Sequence, residues 1–285
     1  MKKVSIVLPV YNGEEHLAEA ITSVLSQTYE NMELIIVDDC STDGTPQIIS
    51  NFVEKDNRVK AIRNKVNQKL PRSLNIGFGL AEGELLTWTS DDNRYKEDAV
   101  EKMSDYLEHH PEIGMVYCDY TIIDENGIER EKKCLDEPER LLWGNTVGAC
   151  FLYTKEVAQK VGSYDSEMFL AEDYDYWIRI YKEGPIVHLP ENLYYYRRHS
   201  KSLTTTRLEE IKHQTVVLWM KHWEFIFLRL RGSKEKRWFC NMILEVENDV
   251  YKKDTYKRII RRYPVYYCYR KIKAVYHWVK AKEKH

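Results

Sequence analysis

Asp91 and Asp92 close a short apolar run, LLTWTSDDN (Leu85 to Asn93), and Asp38 and Asp39 close an earlier one, ELIIVDD. Carboxylates that directly follow strand-like segments lie at the carboxyl edge of a sheet, where open α/β sheets bind their ligands. Two acidic pairs on one edge repel each other unless a cation or a basic ligand contact joins them. The chemistry this suggests is a divalent metal, Mn²⁺ or Mg²⁺, working beside a group that carries phosphate. A single such pair reads equally well as a turn former or helix cap. Its repetition after two buried-type strands favours function.

Other residues could join such a site. Tyr11 follows the first strand as Asp39 follows the second, so an aromatic face for a base and a carboxylate for its ring N–H share one edge; a half-buried core tyrosine is the plain alternative. Arg72, at the start of a helix, could reach a base or a diphosphate, or be a solvated surface arginine. In AEDYDYWIRI, Glu172 and Asp173 open a helix on which Asp173 and Trp177 share a face. A carboxylate there could be a general base for an alcohol, or only a cap. In YYYRRHSKSLT, Arg197 and Arg198 suit diphosphate oxygens and His199 could be a third metal ligand, unless the stretch is a basic guard on a sheet edge.

The elements that must position these residues alternate at short spacing. VSIVL (Val4 to Leu8) is a strand that Pro9 is expected to stop. Asn12 and Glu15 have capping-box spacing ahead of a helix with Leu17, Ile21, Val24 and Leu25 on one face. ELIIV is the second strand, and a helix follows with Pro46 in its first turn. A short strand at Val59 to Ile62, a helix from about Leu70 to Ala81 and the Leu85 strand complete a βαβαβ pattern. That pattern argues for an α/β fold with a mostly parallel, doubly wound sheet flanked by helices. Farther on come a helix from Glu97 to His109, the strand IGMVYCDY, a hairpin turn at Glu125-Asn126-Gly127, a strand from Ala149 to Tyr153, a helix from Ala171 to Tyr181 and the strand HLPENLYYYRRH near the sheet edge. From about Thr206 the chain reads as helical, basic and aromatic.

The 285 residues suffice for one large domain or two smaller ones, and a 43% hydrophobic, 31% charged composition is that of a soluble globular protein. The net charge of −2 conceals an asymmetry: 22 basic against 36 acidic side chains in residues 1–200, and 21 against 9 in residues 201–285. No apolar stretch is long enough to span a bilayer, and acids follow the N-terminal lysines too soon for a signal peptide. The scattered cysteines show no ligand spacing and read as reduced thiols of a cytoplasmic protein. Gly77, Gly79 and Gly83 give GxGxxxG within a helix rather than a dinucleotide loop, and no GKS/T loop is present. Phosphate must be neutralised otherwise.

Taken together, VSIVLPVYNGEE, SVLSQTYENMELIIVDDCSTDGT, NIGFGLAEGELLTWTSDDN, VGSYDSEMFLAEDYDYWIRI and YYYRRHSKSLT resemble the inverting family 2 glycosyltransferases, over roughly residues 4–204. The resemblance implies a GT-A fold and transfer of a sugar from a nucleotide diphosphate sugar, UDP favoured, to an acceptor hydroxyl. It implies that Tyr11 and Asp39 hold the base and Arg72 the base or the diphosphate; with Pro9, Asp91, Arg197 and Arg198 these make up the expected nucleotide-sugar site. Asp91 and Asp92 would occupy the metal and ribose-phosphate motif and Asp173 would be the catalytic base; beyond the resemblance, His199 is read as a third metal ligand and Glu172 and Trp177 as lying by the acceptor. Thr89 stands where the fuller Asp-x-Asp-Asp motif has its first acid, so fewer protein ligands hold the ion.

Residues 1–204 would then be the catalytic domain and residues 205–285 a helical basic region. Between Tyr251 and His285, basic residues such as Lys257, Arg261 and Lys273 interleave with Tyr256, Tyr266 and Trp278. Such a surface suits the inner face of an anionic membrane and a glycan or lipid-linked acceptor in cell-surface polysaccharide or glycolipid assembly, or else it is a helical cap with a solvated face. No nucleic-acid module is recognisable. The competing readings are a nucleotide-sugar-binding scaffold without turnover and a sugar-phosphate nucleotidyltransferase; the latter would show a Gly-rich basic loop after the first strand, which PVYNGEE is not.

Overall fold

The structure, a computed structural model, describes residues 1–245. Tyr251 to His285, the basic and aromatic segment singled out above, lies outside the described residues. The chain divides into a compact unit, Met1–Ile211, and a second that begins at Lys212.

In the first unit, β1 (Val4–Val10), α1 (Leu17–Leu25), β2 (Met32–Asp38), α2 (Thr45–Lys55), β3 (Val59–Arg63), α3 (Leu70–Gly79) and β4 (Leu85–Trp88) alternate as the apolar pattern predicts. Every residue of β1 and of β2 is buried, as in parallel strands covered on both faces. There follow β5 (Arg94–Tyr95), α4 (Ala99–His109), β6 (Met115–Ile123), β7 (Glu129–Lys133), β8 (Phe151–Thr154), α5 (Lys155–Val161), α6 (Glu172–Glu183), β9 (Ile186–Arg197) and α7 (Leu203–Thr206). The sheet has the order β3-β2-β1-β4-β8-β6-β9-β5, with β7 beside β6. β3, β2, β1 and β4 run parallel, and β6 and β9 run parallel to each other. Antiparallel β8 joins the two groups. The HLPENLYYYRRH strand lies one place in from the edge, because two-residue β5 pairs outside it. Gly127, at φ +80°, turns the β6–β7 hairpin, a conformation glycine adopts without steric cost.

Two local expectations are corrected. Pro9 does not stop the ladder: β1 runs on to Val10. In a parallel sheet, successive residues address opposite neighbours. Val10 accepts from Asp39 N on the β2 side (2.8 Å), and Val7 accepts from Thr89 N just past the end of β4 (3.0 Å). Pro9 faces the same side as Val7 but beyond β4, where no partner needs its missing N–H. Asn12 does not cap α1. It sits at φ +55° with Oδ1 accepting from Thr42 N (2.8 Å), while its own N–H donates to Ser41 Oγ (3.0 Å). Gly13 N to Thr45 Oγ1 (2.9 Å) and Glu14 N to Asp43 Oδ2 (3.1 Å) complete the lacing of the loops after β1 and β2.

Gly77 is explained by packing rather than by a dinucleotide. A Cβ there would lie 2.4 Å from Val7 Cγ1, so the missing side chain is what lets α3 rest on β1.

The second unit begins within α8 (Leu208–Lys221) and continues through α9 (Trp223–Arg229) and α10 (Ser233–Glu245). Trp219 and Trp238 meet edge to face, 5.9 Å between ring centroids. Among the described residues no helix is long and apolar enough to cross a membrane.

Candidate active site

The strand ends open into a cleft of about 790 Å³. The register that pairs Val10 with Asp38 delivers Tyr11 and Asp39 side by side at its edge. Pro9, Tyr11, Asp39, Asp91, Asp92, Glu172, Asp173 and His199 all line it. Five separate segments thus bring their predicted residues to one cavity.

Tyr11 is 51% exposed, which sets it apart from a core tyrosine and leaves a ring face open at the cleft. Asp39 is buried. Its Oδ1 accepts from Gln68 N (2.7 Å) and Asn64 Nδ2 (2.8 Å), and its Oδ2 from Lys69 N (2.8 Å), so it fixes the loop between β3 and α3. A carboxylate offers about four lone-pair sites, which leaves one for a ligand N–H. Asp38, next in sequence and opposite in direction, turns away to Ser41 N (2.8 Å) and Arg63 Nε (3.4 Å).

Asp91 and Asp92 occupy the turn after β4. Burial, and then the charge of Asp92, push the Asp91 carboxyl up to about 7. Asp92 Oδ2 lies 3.0 Å from His199 Nε2. His16, a residue the sequence did not flag, stands 5.9 Å from the His199 ring and lines the same cleft. Burial, followed by the charge of Arg197, lowers its pKa below the ordinary imidazole value.

Among the described residues no three His, Cys, Asp or Glu side chains converge into a ready-made metal cage. Mg²⁺ and Mn²⁺ are commonly held by one or two carboxylates completed by substrate phosphates. Asp92 and His199, already paired at the cleft, fit that mode, with Asp91 beside them.

Glu172 and Asp173 open α6. Glu172 is buried and its Oε2 accepts from Leu170 N (2.6 Å); burial, then the charge of Asp173, push it up to about 8. Asp173 Oδ1 accepts from Tyr174 N (2.6 Å) and its Oδ2 from Asn145 Nδ2 (2.8 Å). Burial raises its pKa against those hydrogen bonds. A carboxylate held up in this way is a stronger proton acceptor than an ordinary aspartate.

The remaining predicted residues are elsewhere. Trp177 is wholly buried, 4.4 Å from the Phe151 ring and 6.1 Å from that of Tyr153, so it is core rather than an acceptor contact. Residues four apart share a helix face, but of α6 only Glu172 and Asp173, in its first turn, line the cleft. Arg72 is exposed on α3 and does not line the cleft. Arg197 is 2% exposed, with its guanidinium consumed by protein: Nε donates to Asp92 O (2.8 Å), Nη1 to Glu125 O (2.8 Å), and Nη2 pairs with Glu19. Arg198, one residue past the end of β9, is exposed and lines no part of the cleft. The lysines that line it are Lys69 and Lys201, the latter paired with Glu15 (2.9 Å).

The sequence model of Glycosyl transferase family 2 matches residues 5–163. The chain belongs to this family. It is 30% identical over 222 residues to an uncharacterized glycosyltransferase of Rickettsia prowazekii (strain Madrid E), covering 73% of this chain and 68% of that one. It is 33% identical to the putative glycosyltransferase EpsE of Bacillus subtilis (strain 168), over 64% of this chain and 68% of the relative. Among solved structures, S. aureus TarS 1-349 in complex with UDP-GlcNAc is similar at a TM-score of 0.64 and 18% identity, covering 89% of this chain and 78% of that one. The mannosyltransferase PcManGT from Pyrobaculum calidifontis, in complex with GDP-Man and Mn²⁺, is similar at a TM-score of 0.59 and 14% identity, covering 96% and 84%. These likenesses bear out the GT-A-type fold. The protein is a glycosyltransferase of family 2.

Proposed function

We propose that the protein transfers a sugar from a nucleotide diphosphate sugar to an acceptor hydroxyl with inversion at the anomeric carbon, in a catalytic domain spanning residues 1–204. The carrying observation is the shared cleft, in which Tyr11 and Asp39 stand with Asp91-Asp92 and with Asp173. The Tyr11 ring supports the base and Asp39 accepts its ring N–H. Asp173 takes the acceptor proton as the hydroxyl attacks from the face opposite the leaving diphosphate, so no covalent glycosyl-enzyme is needed. Asn145 orients that carboxylate. Asp92 and His199, with Asp91, would hold a divalent ion, Mn²⁺ or Mg²⁺, which when bound offsets negative charge gathering on the departing diphosphate.

A UDP-sugar is the favoured donor, a reading supported by the UDP-GlcNAc carried by one structural neighbour; GDP-Man in another keeps a second base in view. The acceptor is a glycan or lipid-linked sugar of a cell-surface assembly route, met at the inner face of the cytoplasmic membrane with the help of residues 205–285. A thermal-shift panel of nucleotide sugars with and without Mn²⁺ tests the reading, since a ligand that binds only the native state raises its melting temperature with affinity. Stabilisation by a nucleotide sugar, followed by transfer to acceptor, is expected. Stabilisation without turnover would instead favour a binding scaffold.

A further inference from the structure

Lys69 has an unusual backbone. At φ +66° and ψ 164° it occupies a region in which glycine alone is at ease, and such strain persists where the surroundings impose it, often at ligand sites. Asp39 imposes it here by accepting from the Lys69 N–H (2.8 Å). A glycine would satisfy that bond without strain, so the lysine side chain is what the strain retains. Its ammonium lies 5.1 Å from the centroid of the Phe169 ring, and the Arg207 guanidinium lies 5.5 Å from the same ring. Glu210 pairs with Arg207 through Nε (2.8 Å). Glu210 also feels the charge of Lys69, although among the described residues no carboxylate lies within ion-pair distance of the Lys69 ammonium. A net positive charge therefore stands at the cleft wall, presented there by Lys69, with Arg207 on the same ring but outside the cleft lining.

The position of that charge selects its ligand. Phe169 and Lys69 both line the cleft, and Phe169 stands in the segment that leads into α6 and Asp173. Under the glycosyltransferase reading, on which this inference rests, Phe169 is at the acceptor's end and the donor diphosphate belongs with Asp92 and His199. Lys69, whose backbone is tied to the base-binding Asp39, thus reaches with its ammonium toward the acceptor. We propose that Lys69 and Arg207, seated on Phe169, form a subsite for an anionic group, phosphoryl or carboxylate, carried by the acceptor. An acceptor without such a group leaves the excess positive charge of Lys69, Arg207 and Glu210 unanswered and binds more weakly.

The test loads the full chain with UDP, so that the donor site is filled, and titrates inorganic phosphate by calorimetry. Phosphate is expected to bind the UDP-loaded wild type, and Lys69→Met, Lys69→Gly and Arg207→Gln each to weaken it about tenfold, the scale of a lost charge-assisted hydrogen bond. Lys69→Gly, which also releases the backbone, should melt no lower than the wild type. Phosphate that binds only the UDP-free protein, in competition with UDP, would assign the cations to the donor and overturn the proposal. So would phosphate binding unchanged in the variants, or a Lys69→Gly protein that melts far below the wild type, which would make the side chain a structural prop. A wild type that binds no nucleotide fails differently: it removes the underlying reading, and this subsite with it.

Discussion

Arg197 donates through Nε to the main-chain carbonyl of Asp92 at 2.8 Å, so the arginine expected on the diphosphate instead braces the acidic turn. Its backbone N–H donates to Asn93 Oδ1 (2.8 Å), and its other guanidinium nitrogens tie in the β6–β7 hairpin and Glu19 of α1. The side chain of one strand-end residue thus holds together the segments that carry Asp92, His16 and the hairpin.

Arg197→Ala should therefore cost about 1–3 kcal/mol of stability, since it strips the carbonyls of Asp92 and Glu125 of their donor, while the pair with half-exposed Glu19 adds less. Arg197→Lys should recover little of this, because an ammonium cannot reproduce the planar fork. Arg198→Ala, an exposed change, should stay within about 0.5 kcal/mol of the wild type. Urea denaturation of the three variants checks the order; equal losses at Arg197 and Arg198 would contradict it.

That contrast shows where the sequence stops being legible. Neighbouring residues along a strand point to opposite faces, so Arg197, at the end of β9, and Arg198, just past it, are not expected to meet one ligand together. Which of them turns inward depends on register irregularities between Cys118 and Tyr120 opposite β9, and no local pattern encodes those. Asp38 and Asp39 divide in the same way. By contrast Tyr11, Asp39, Asp91 and Asp173 were readable as cleft residues because each follows a strand closely or opens a helix, and parallel strands deliver such positions to one edge. Lys69, Phe169 and Asn145 were not readable: they lie in irregular segments and reach the cleft only through tertiary packing. Antiparallel β8, inserted between β4 and β6, was legible as a strand but not as the bridge between two parallel groups.

Asp173→Asn should lower turnover by about 10²–10⁴-fold, the usual contribution of a general base, while leaving donor affinity near the wild-type value. Single-turnover transfer and donor calorimetry separate the two quantities. Near-normal turnover would remove Asp173 from the role.

A base works only when deprotonated, so the raised pKa of Asp173 moves the loss of activity on acidification above the ordinary aspartate range near 3.8. Asn145 donates to Asp173 and holds that pKa down, so Asn145→Ala should carry the acid limb of the kcat profile to still higher pH. An acid limb that does not move would show that Asn145 has no hold on the base.

Glu33 of β2 responds to pH in the opposite sense. Burial alone would raise it, but donors from Lys60, Ser5, Glu82 and Lys3 hold it down at about 2 against an ordinary 4.5. Its contribution to stability is complete above 4.5 and is lost as pH falls toward 2, because the unfolded chain takes up the proton first. Lys3 and Lys60 are partly exposed, which discounts the shift to about 2 kcal/mol. Glu33→Gln should thus melt below the wild type at pH 7 and converge with it on acidification; a constant gap across pH 2–7 would refute the linkage.

Gly13 lies against the acidic turn, and its hydrogen atom has a purpose there. A Cβ at this position would lie 2.1 Å from Asp91 Oδ2 and 2.7 Å from Val10 Cγ2. The backbone cannot retreat, since Gly13 N is bound to Thr45 Oγ1 (2.9 Å) and its carbonyl accepts from Leu17 N (3.1 Å). Asp91 must then give way. Gly13→Ala should cost about 1–3 kcal/mol, as overpacking does, and weaken nucleotide-sugar binding in parallel by displacing the carboxylate. Gly79→Ala is the matched control, because nothing lies within 4 Å of the Cβ it would add. Alanine at that helical position should be neutral or mildly stabilising and leave donor affinity unchanged. Calorimetry of both variants with a UDP-sugar decides the matter: if Gly13→Ala binds donor as well as Gly79→Ala does, then Asp91 is not held against Gly13 for the ligand's sake.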